Sequence, residues 1–148
     1  ATDSYLKGLA LEAFAIRIMR IIGLDFIQTR LKGNETAGAE VDVLFDSSRL
    51  LYTRWQVQCK NTHRVSLDQV AKEVGLSHVL KTNAIVIMTT GVVSEKAREY
   101  ATQIMKTMNL CIIMVEGSDI DAIIAEPTKI LEIFNRESLN AKHIKVFE

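Results

Sequence analysis

The sequence predicts a three-layer α/β/α sandwich around a mixed central β-sheet. After an opening helix, the first half alternates short strand-like segments with turns, which is typical of an antiparallel meander. The second half alternates apolar runs with amphipathic helices, which indicates right-handed β-α-β crossovers with helices on both faces of the sheet. A chain of 148 residues suits one domain. We expect its core to span about residues 5–116, with residues 117–148 as a helical C-terminal extension.

The first half is predicted to contain one helix and three strands. The helix runs from Tyr5 to Ile22, because apolar residues recur at i, i+3, i+4 and i+7, and Gly23 is a natural stop. Residues 32–39 include two glycines and an asparagine and are expected to form a loop. Strands are expected at Phe26–Leu31, Glu40–Phe45 and Leu51–Lys60, the last two paired antiparallel through a turn at residues 46–48.

The second half is predicted to contain two buried strands and four helices. Ser66 and Gln69 fit a capping box, so a helix should follow to about His78. The run Ala84–Thr89 is continuously apolar, as expected for a strand buried on both faces. The remaining elements are a helix after Ser94 to about Met108, a strand at Leu110–Val115, a short helix from Ser118, and a helix from Pro127 to about Asn135.

The composition limits the class of protein. The chain has 18 basic and 18 acidic residues, so its formal charge is zero, and this argues mildly against non-specific nucleic-acid binding. It has no apolar run long enough to span a bilayer and no secretory signal, so we expect a cytoplasmic protein. Cys59 and Cys111 are expected to be free thiols. Because the chain does not begin with Met, we expect a processed chain or a fragment of a longer protein.

Polar side chains alternate along the third predicted strand. In WQVQCK, Gln56, Gln58 and Lys60 share one face, because successive strand residues point to opposite faces. If the second and third strands pair, Asp42 lies beside Gln58 and Lys60. A carboxylate and an amide oxygen suit a hard divalent cation, and a lysine beside them suits phosphodiester hydrolysis. The alternating pattern alone is more often a solvated sheet face, but helices on both faces would leave such a lysine buried.

These segments resemble the PD-(D/E)XK nuclease superfamily, and most of all its Mrr-like restriction endonuclease branch, in which Q-x-K replaces E-x-K. The resemblance extends from about Tyr5 to Glu116 and implies a restriction-endonuclease-like fold. The superfamily's proline is absent, since Val41 precedes Asp42. The matching pieces are Glu12 in the first helix, Asp42 in GAEVDVLF, Gln58 and Lys60 in VQCKN, and MTTGVVSEKA at residues 88–97.

The resemblance implies a DNA endonuclease of the restriction type that depends on Mg²⁺, with Mn²⁺ as a possible substitute, and leaves 5′-phosphate and 3′-hydroxyl ends. Asp42, the Gln58 side chain and the Cys59 backbone carbonyl would hold the ion, with Glu12 assisting. Lys60 would be the catalytic lysine. Because Gln58 is neutral, weaker metal affinity is expected than with two carboxylates. Candidate DNA contacts are Lys32, Asn34, Asn61, His63, Arg64 and Gln69.

Double-stranded DNA is the expected substrate. Cutting both of its strands requires two sites, so we expect a homodimer or paired catalytic domains, with recognition or motor domains in a larger enzyme. A Holliday-junction resolvase or repair nuclease of the same fold is one alternative, and a non-catalytic DNA-binding or assembly module is another. Two residues have simpler interpretations. Glu12 fits a solvated helix face, and Gln69 fits the capping-box partner of Ser66.

Overall fold

A computed structural model describes residues 2–31, 41–48 and 51–146 of the chain. Its element order agrees with the predicted α-β-β-β-α-β-α-β series followed by helices, with two additional two-residue strands. In chain order the elements are α1 (Thr2–Ile21), β1 (Asp25–Leu31), β2 (Val41–Ser47), β3 (Thr53–Lys60), β4 (Arg64–Val65), α2 (Leu67–Leu80), β5 (Ala84–Thr89), β6 (Val92–Val93), α3 (Glu95–Thr107), β7 (Cys111–Val115), α4 (Gly117–Ala125) and α5 (Lys129–Ile144).

The main sheet is mixed, as predicted. Its strand order is β1-β2-β3-β5-β7. The first three strands pair antiparallel, whereas β3-β5 and β5-β7 pair parallel. The short strands β4 and β6 form a separate parallel pair beyond the ends of β3 and β5. The parallel strands therefore end at one edge of the sheet, where the loops that follow β3 and β5 meet.

Helices cover both faces of the sheet, and the three-layer arrangement is confirmed. Helices α1 and α4 pack on one face and α2 and α3 on the other, whereas α5 contributes Ile130 and Ile133 to the first layer and Ala141 to the second. Alternate β5 residues enter the two layers, with Val86 and Met88 in the first and Ile85 and Ile87 in the second. The continuous apolar run of β5 follows from this burial on both faces. Within the described ranges, no helix is both long and apolar enough to cross a membrane.

The C-terminal helix corrects the sequence prediction, which ended it near Asn135. Helix α5 continues to Ile144, because Glu137 and Ala141 extend the buried stripe that begins with Ile130 and Ile133. A glutamate at a buried position interrupts the apolar pattern in the sequence. In the fold, Glu137 Oε1 accepts a hydrogen bond of 2.8 Å from the backbone N–H of Met114 in the edge strand β7. The helix thus provides a hydrogen-bond acceptor for one backbone N–H of the edge strand.

Other boundaries differ by a few residues. Strand β2 extends through Asp46 and Ser47, which were predicted to form a turn, because both still pair with β3. Helix α4 begins at Gly117 rather than Ser118, and Asp119 Oδ2 accepts a 3.0 Å hydrogen bond from the N–H of Glu116. The Ser66–Gln69 capping box of α2 is confirmed. The predicted stop at Gly23 is confirmed as well, with a positive φ of 94°.

The loops after β3 and β5 touch at Gly91. A Cβ atom there would lie 2.2 Å from the His63 carbonyl oxygen and 2.3 Å from the Thr62 carbonyl oxygen. The Val92 N–H donates to the same His63 oxygen at 3.1 Å. The contact holds the segment that follows β3 against the segment that follows β5. A side chain at position 91 would push these two backbone segments apart.

Gly91→Ala is therefore expected to destabilise the protein by about 1–3 kcal/mol, the usual cost of overpacking. Urea unfolding followed by circular dichroism measures this change. Gly75→Ala is the matched control, because a Cβ at this α2 position meets no atom within 4 Å. The free energy of unfolding of the control should rise by about 0.5–1 kcal/mol, because alanine is less destabilising than glycine inside a helix. Equal stabilities for the two variants would contradict the close contact at Gly91.

Candidate active site

The candidate site lies where strands β2 and β3 stop pairing. The β2-β3 ladder ends at the Val43–Val57 pair, whereas the β3-β5 ladder continues to Lys60–Thr89. Asp42 and Gln58 are the next residues beyond the last β2-β3 pair. Because Val43 and Val57 point toward α1, strand alternation directs Asp42, Gln58 and Lys60 to the α2 face. The predicted grouping of these three residues therefore agrees with the fold.

Asp42 bridges the two strands with its side chain. The residue is 8% exposed, and its Oδ2 atom accepts a 2.8 Å hydrogen bond from the backbone N–H of Cys59. The N–H and C=O of a strand residue point to the same side. The Cys59 carbonyl is therefore directed toward β2. The Asp42 carboxylate is directed toward β3. Two oxygen groups suited to a cation thus converge at the strand end.

Gln58 carries an unsatisfied oxygen. The residue is 5% exposed, and its Oε1 atom is buried without a hydrogen-bond partner among the residues that the structure describes. It is the one such side-chain atom in those ranges. An unpaired buried acceptor costs about 1–3 kcal/mol, so native folds rarely keep one without a reason. A ligand that approaches this oxygen would remove the penalty.

Lys60 is the last residue of β3 and is half-buried. Its carbonyl oxygen accepts a 3.2 Å hydrogen bond from the Thr90 N–H, which ties the backbone at this strand end to the segment after β5. Its side chain points to the same face as Gln58, two residues earlier. Lys60 therefore lies on the same sheet face as the buried Gln58 amide, at the end of β3.

Glu12 approaches the site from the other face of the sheet. It is a half-buried residue of α1, next to Leu11, whose carbonyl oxygen lies 4.0 Å from the Cys59 Sγ atom. Burial raises the pKa of the Cys59 thiol well above its usual value, and the negative charges of Asp42 and Glu12 raise it further. Glu12 is therefore near the same strand end, although it is separated from the α2 face by β3.

Comparison with known families identifies the chain. The family model of the restriction endonucleases called Mrr_cat matches residues 4–124, which is more than half of the chain. The chain belongs to this restriction endonuclease family. A comparison with curated proteins found no match.

Two solved structures resemble the Mrr-family chain. One is the crystal structure of a protein of unknown function, AF1548, with a TM-score of 0.57 and 17% identity over 72% of this chain and 56% of that one. The other is the MspJI restriction endonuclease in complex with a 27-mer oligonucleotide, with a TM-score of 0.51 and 21% identity over 95% of this chain and 32% of that one. At these identities the similarity shows the fold. The Mrr-family chain spans about half of the first structure's chain and a third of the second's.

A glutamate that the sequence reasoning did not single out lies on the same face. Glu73 of α2 is 2% exposed, and Gln56 Nε2 donates to its Oε2 atom at 3.1 Å. Burial raises the pKa of Glu73 to about 7; the Gln56 hydrogen bond and the charge of Lys60 lower it, and the charge of Asp42 raises it. The spacing in the sequence could have identified Glu73, because it lies between Val70 and Val74 on the buried face of α2.

The predicted DNA contacts of the Mrr-family chain fall into three groups. Asn61, His63 and Arg64 are exposed beyond β3, and Asn61 also lines a cleft of about 590 Å³ between α1 and α4. Gln69 uses its Oε1 atom to accept the Ser66 N–H at 2.9 Å, as its capping-box interpretation predicted. Lys32 and Asn34 lie outside the described residues.

No group of three or more His, Cys, Asp and Glu side chains in the described part of the chain is arranged to hold a metal ion. The candidate set of the Mrr-family chain is of a different composition. It combines one carboxylate, from Asp42, with the Gln58 amide oxygen and the Cys59 backbone carbonyl. All are hard oxygen ligands, the type that Mg²⁺ and Mn²⁺ prefer. The residues present therefore fit a hard divalent cation.

Proposed function

We propose that this chain is the catalytic domain of a metal-dependent DNA endonuclease that hydrolyses phosphodiester bonds to 5′-phosphate and 3′-hydroxyl ends. The observation that carries the proposal is the buried Oε1 atom of Gln58, which has no hydrogen-bond partner among the described residues and lies on the same sheet face as Asp42. An oxygen of this kind is accounted for if it binds a cation. Membership of the restriction endonuclease family supports the same activity.

In this proposal Asp42, the Gln58 side chain and the Cys59 carbonyl would hold Mg²⁺, with Mn²⁺ as a substitute. The ion, when bound, supplies a Lewis acid for the scissile phosphate and lowers the pKa of a bound water. The Cys59 N–H fixes the Asp42 carboxylate through the 2.8 Å hydrogen bond, so that its geometry is set before the ion arrives. Glu12 adds negative charge from the α1 side.

Lys60 is proposed to act on the nucleophile and the phosphate. It is the half-buried last residue of β3, and its side chain leaves the strand on the same face as Gln58. There it orients the attacking water and offsets the negative charge that develops on the phosphate oxygens. Because Lys60 is half-buried and its neighbours Gln58 and Asp42 are buried, fewer water molecules screen this charge than at a fully exposed site.

Double-stranded DNA is the proposed substrate, contacted at the edge where the parallel strands end. Exposed Asn61, His63 and Arg64 line that edge, and Lys32 and Asn34 are proposed to add contacts. Zero net charge gives weak general attraction to phosphate. We therefore propose that tight binding depends on recognition or motor domains of a larger enzyme and on a homodimer or paired domains, which would also supply the two sites that a double-strand cut requires.

Cleavage of supercoiled plasmid DNA with and without Mg²⁺ tests the proposal. The wild-type chain is expected to nick or linearise the plasmid only with the metal, and end labelling should detect 5′-phosphates. Lys60→Met should reduce the rate by about a hundredfold or more, since it removes a preorganised positive charge. Lys106→Met removes an exposed α3 lysine and is the matched control, expected to cut at the wild-type rate.

The outcomes separate the alternatives. Metal-dependent cutting of branched DNA in preference to plasmid and methylated plasmid would favour a junction resolvase. A non-catalytic module would be favoured if calorimetric titration detected no Mn²⁺ binding and the cleavage assay detected no metal-dependent cutting. Full activity in Lys60→Met would contradict the assigned role of Lys60.

A further inference from the structure

A buried hydrogen-bond network lies behind the candidate site. The Gln56 amide nitrogen donates to Glu73 twice, at 3.0 Å to the backbone carbonyl and at 3.1 Å to the side-chain Oε2 atom. The Thr82 hydroxyl donates to the Gln56 amide oxygen at 2.6 Å. Gln56 is fully buried, and its amide is held at both ends. The network therefore joins β3 to α2 and to the segment after it.

The position of this network connects it to the site. Gln56 and Gln58 are neighbours on the α2 face of β3, and Lys60 follows on the same face. Because Gln56 cannot rotate without breaking its three hydrogen bonds, it gives Gln58 a fixed neighbour. A ligand side chain must keep its orientation before the ion arrives, and such support is what residues behind a metal site provide.

Electrostatic interactions also connect Glu73 with the candidate site. Glu73 interacts electrostatically with Lys60 and Asp42 from the strands and with Lys72 on its own helix. A carboxylate that is 2% exposed costs free energy when ionised, and structural needs at such a position are met by an amide or an apolar residue. A buried carboxylate that is hydrogen-bonded to Gln56 and lies within the electrostatic influence of Lys60 therefore points to a role that uses the negative charge. Since Gln58 is neutral, Glu73 is a second acidic group on this face, beside Asp42.

We propose that Glu73 is a positioning residue of the nuclease site, whose carboxylate anchors Gln56 behind Gln58 through their hydrogen bonds and whose negative charge acts on the Lys60 ammonium group. The inference rests on the proposed nuclease function for its catalytic consequence. The proposed electrostatic pairing of Glu73 with Lys60, however, requires neither metal nor DNA, and it has its own test.

The first test measures the charge interaction directly. Carbon-13 NMR of the side-chain carboxyl of Glu73 gives its titration midpoint in the metal-free protein. Lys60→Met removes a charge that lowers the pKa of Glu73, so the midpoint should rise by about half a unit or more. Lys72→Met, the matched control on the same helix, should produce a smaller rise. An unchanged midpoint in Lys60→Met, or a larger rise in the control, would overturn the proposed pairing.

The second test measures the catalytic consequence. Glu73→Gln keeps the size and the acceptor oxygen but removes the charge, and is expected to slow cleavage at pH 8 by about tenfold or more. Wild-type cleavage should also decline as Glu73 takes up a proton between about pH 8 and 6, and this contribution should disappear from the variant profile. Glu73→Asp, which keeps the charge, should recover part of the rate.

The matched control for the buried position is Glu137→Gln, which changes a 7% exposed glutamate on α5 and should leave the cleavage pH profile at its wild-type shape. If wild type cleaves DNA and Glu73→Gln matches it in rate and profile, the positioning role is wrong and the proposed function stands. If the wild type shows no cleavage but the NMR midpoint moves as expected, the proposed function fails while the Glu73–Lys60 pairing is retained.

Discussion

Asp42→Asn is expected to reduce DNA cleavage by about a thousandfold or more, which corresponds to about 4 kcal/mol of transition-state stabilisation. The substitution removes the negative charge and keeps an oxygen that accepts the Cys59 N–H hydrogen bond. The fold should therefore survive, and the loss should appear in catalysis. Single-turnover cleavage of a linear duplex, measured over a range of Mg²⁺ concentrations, separates weakened metal binding from a slower chemical step.

The matched control is Asp46→Asn, the same chemical change on the same face of β2. Asp46 lies four residues along the strand, about 13 Å from Asp42 by strand geometry. It pairs with Arg54 in the sheet and accepts a long hydrogen bond from the Tyr52 hydroxyl. Cleavage by this variant should be unchanged. A thousandfold loss in the control, or wild-type cleavage by Asp42→Asn, would contradict the assignment of Asp42 to the metal.

Glu73→Gln is expected to stabilise the protein at pH 8 by up to about 3 kcal/mol, even though it slows cleavage. Burial raises the pKa of Glu73 from its usual 4.5 to about 7. A carboxyl group with a raised pKa adds stability below about pH 4.5, where it is protonated in both states. That stability is lost as pH rises through about 7, because folding must then bury the charge. The glutamine side chain never carries this charge.

Urea unfolding at pH 4, 6 and 8 measures the effect. The difference between wild type and Glu73→Gln should be small at pH 4 and should grow toward pH 8. Glu137→Gln is the control, because that carboxylate is bonded to the Met114 N–H and paired with Arg136 at 3.4 Å, so its loss should bring no gain in stability. A stability difference for Glu73→Gln that does not vary with pH would show that the Glu73 charge is not the cause.

Together these expected effects describe a site maintained at the expense of stability. Gln58 keeps a buried oxygen without a partner in the described residues, and Glu73 keeps a buried carboxylate. Each is unfavourable for folding, and the proposed roles in metal binding and catalysis would account for both. Strongly perturbed titratable groups and unsatisfied buried atoms concentrate at functional sites for this reason.

Much of the site followed from local pattern. Period-two alternation in β3 placed Gln58 and Lys60 on one face, and the hairpin brought Asp42 beside them, because antiparallel register links neighbouring positions directly. The fully apolar run Ala84–Thr89 gave the bounds of β5 as observed. These features depend on residues close in sequence or on one strand pairing.

The rest depended on contacts between distant segments. The sequence alone determined the α/β/α layers, the mixed sheet and the strand positions of Asp42, Gln58 and Lys60, since periodicity and capping are properties of short segments. Only the tertiary structure decided that Gln58 lacks a partner in the described chain, that Glu73 is buried and hydrogen-bonded to Gln56, and that Glu137 extends α5 along β7. The physical reason is burial. The sequence alone predicts that a glutamate on a helix is solvated. Only packing of the helix against the sheet removes the water around it.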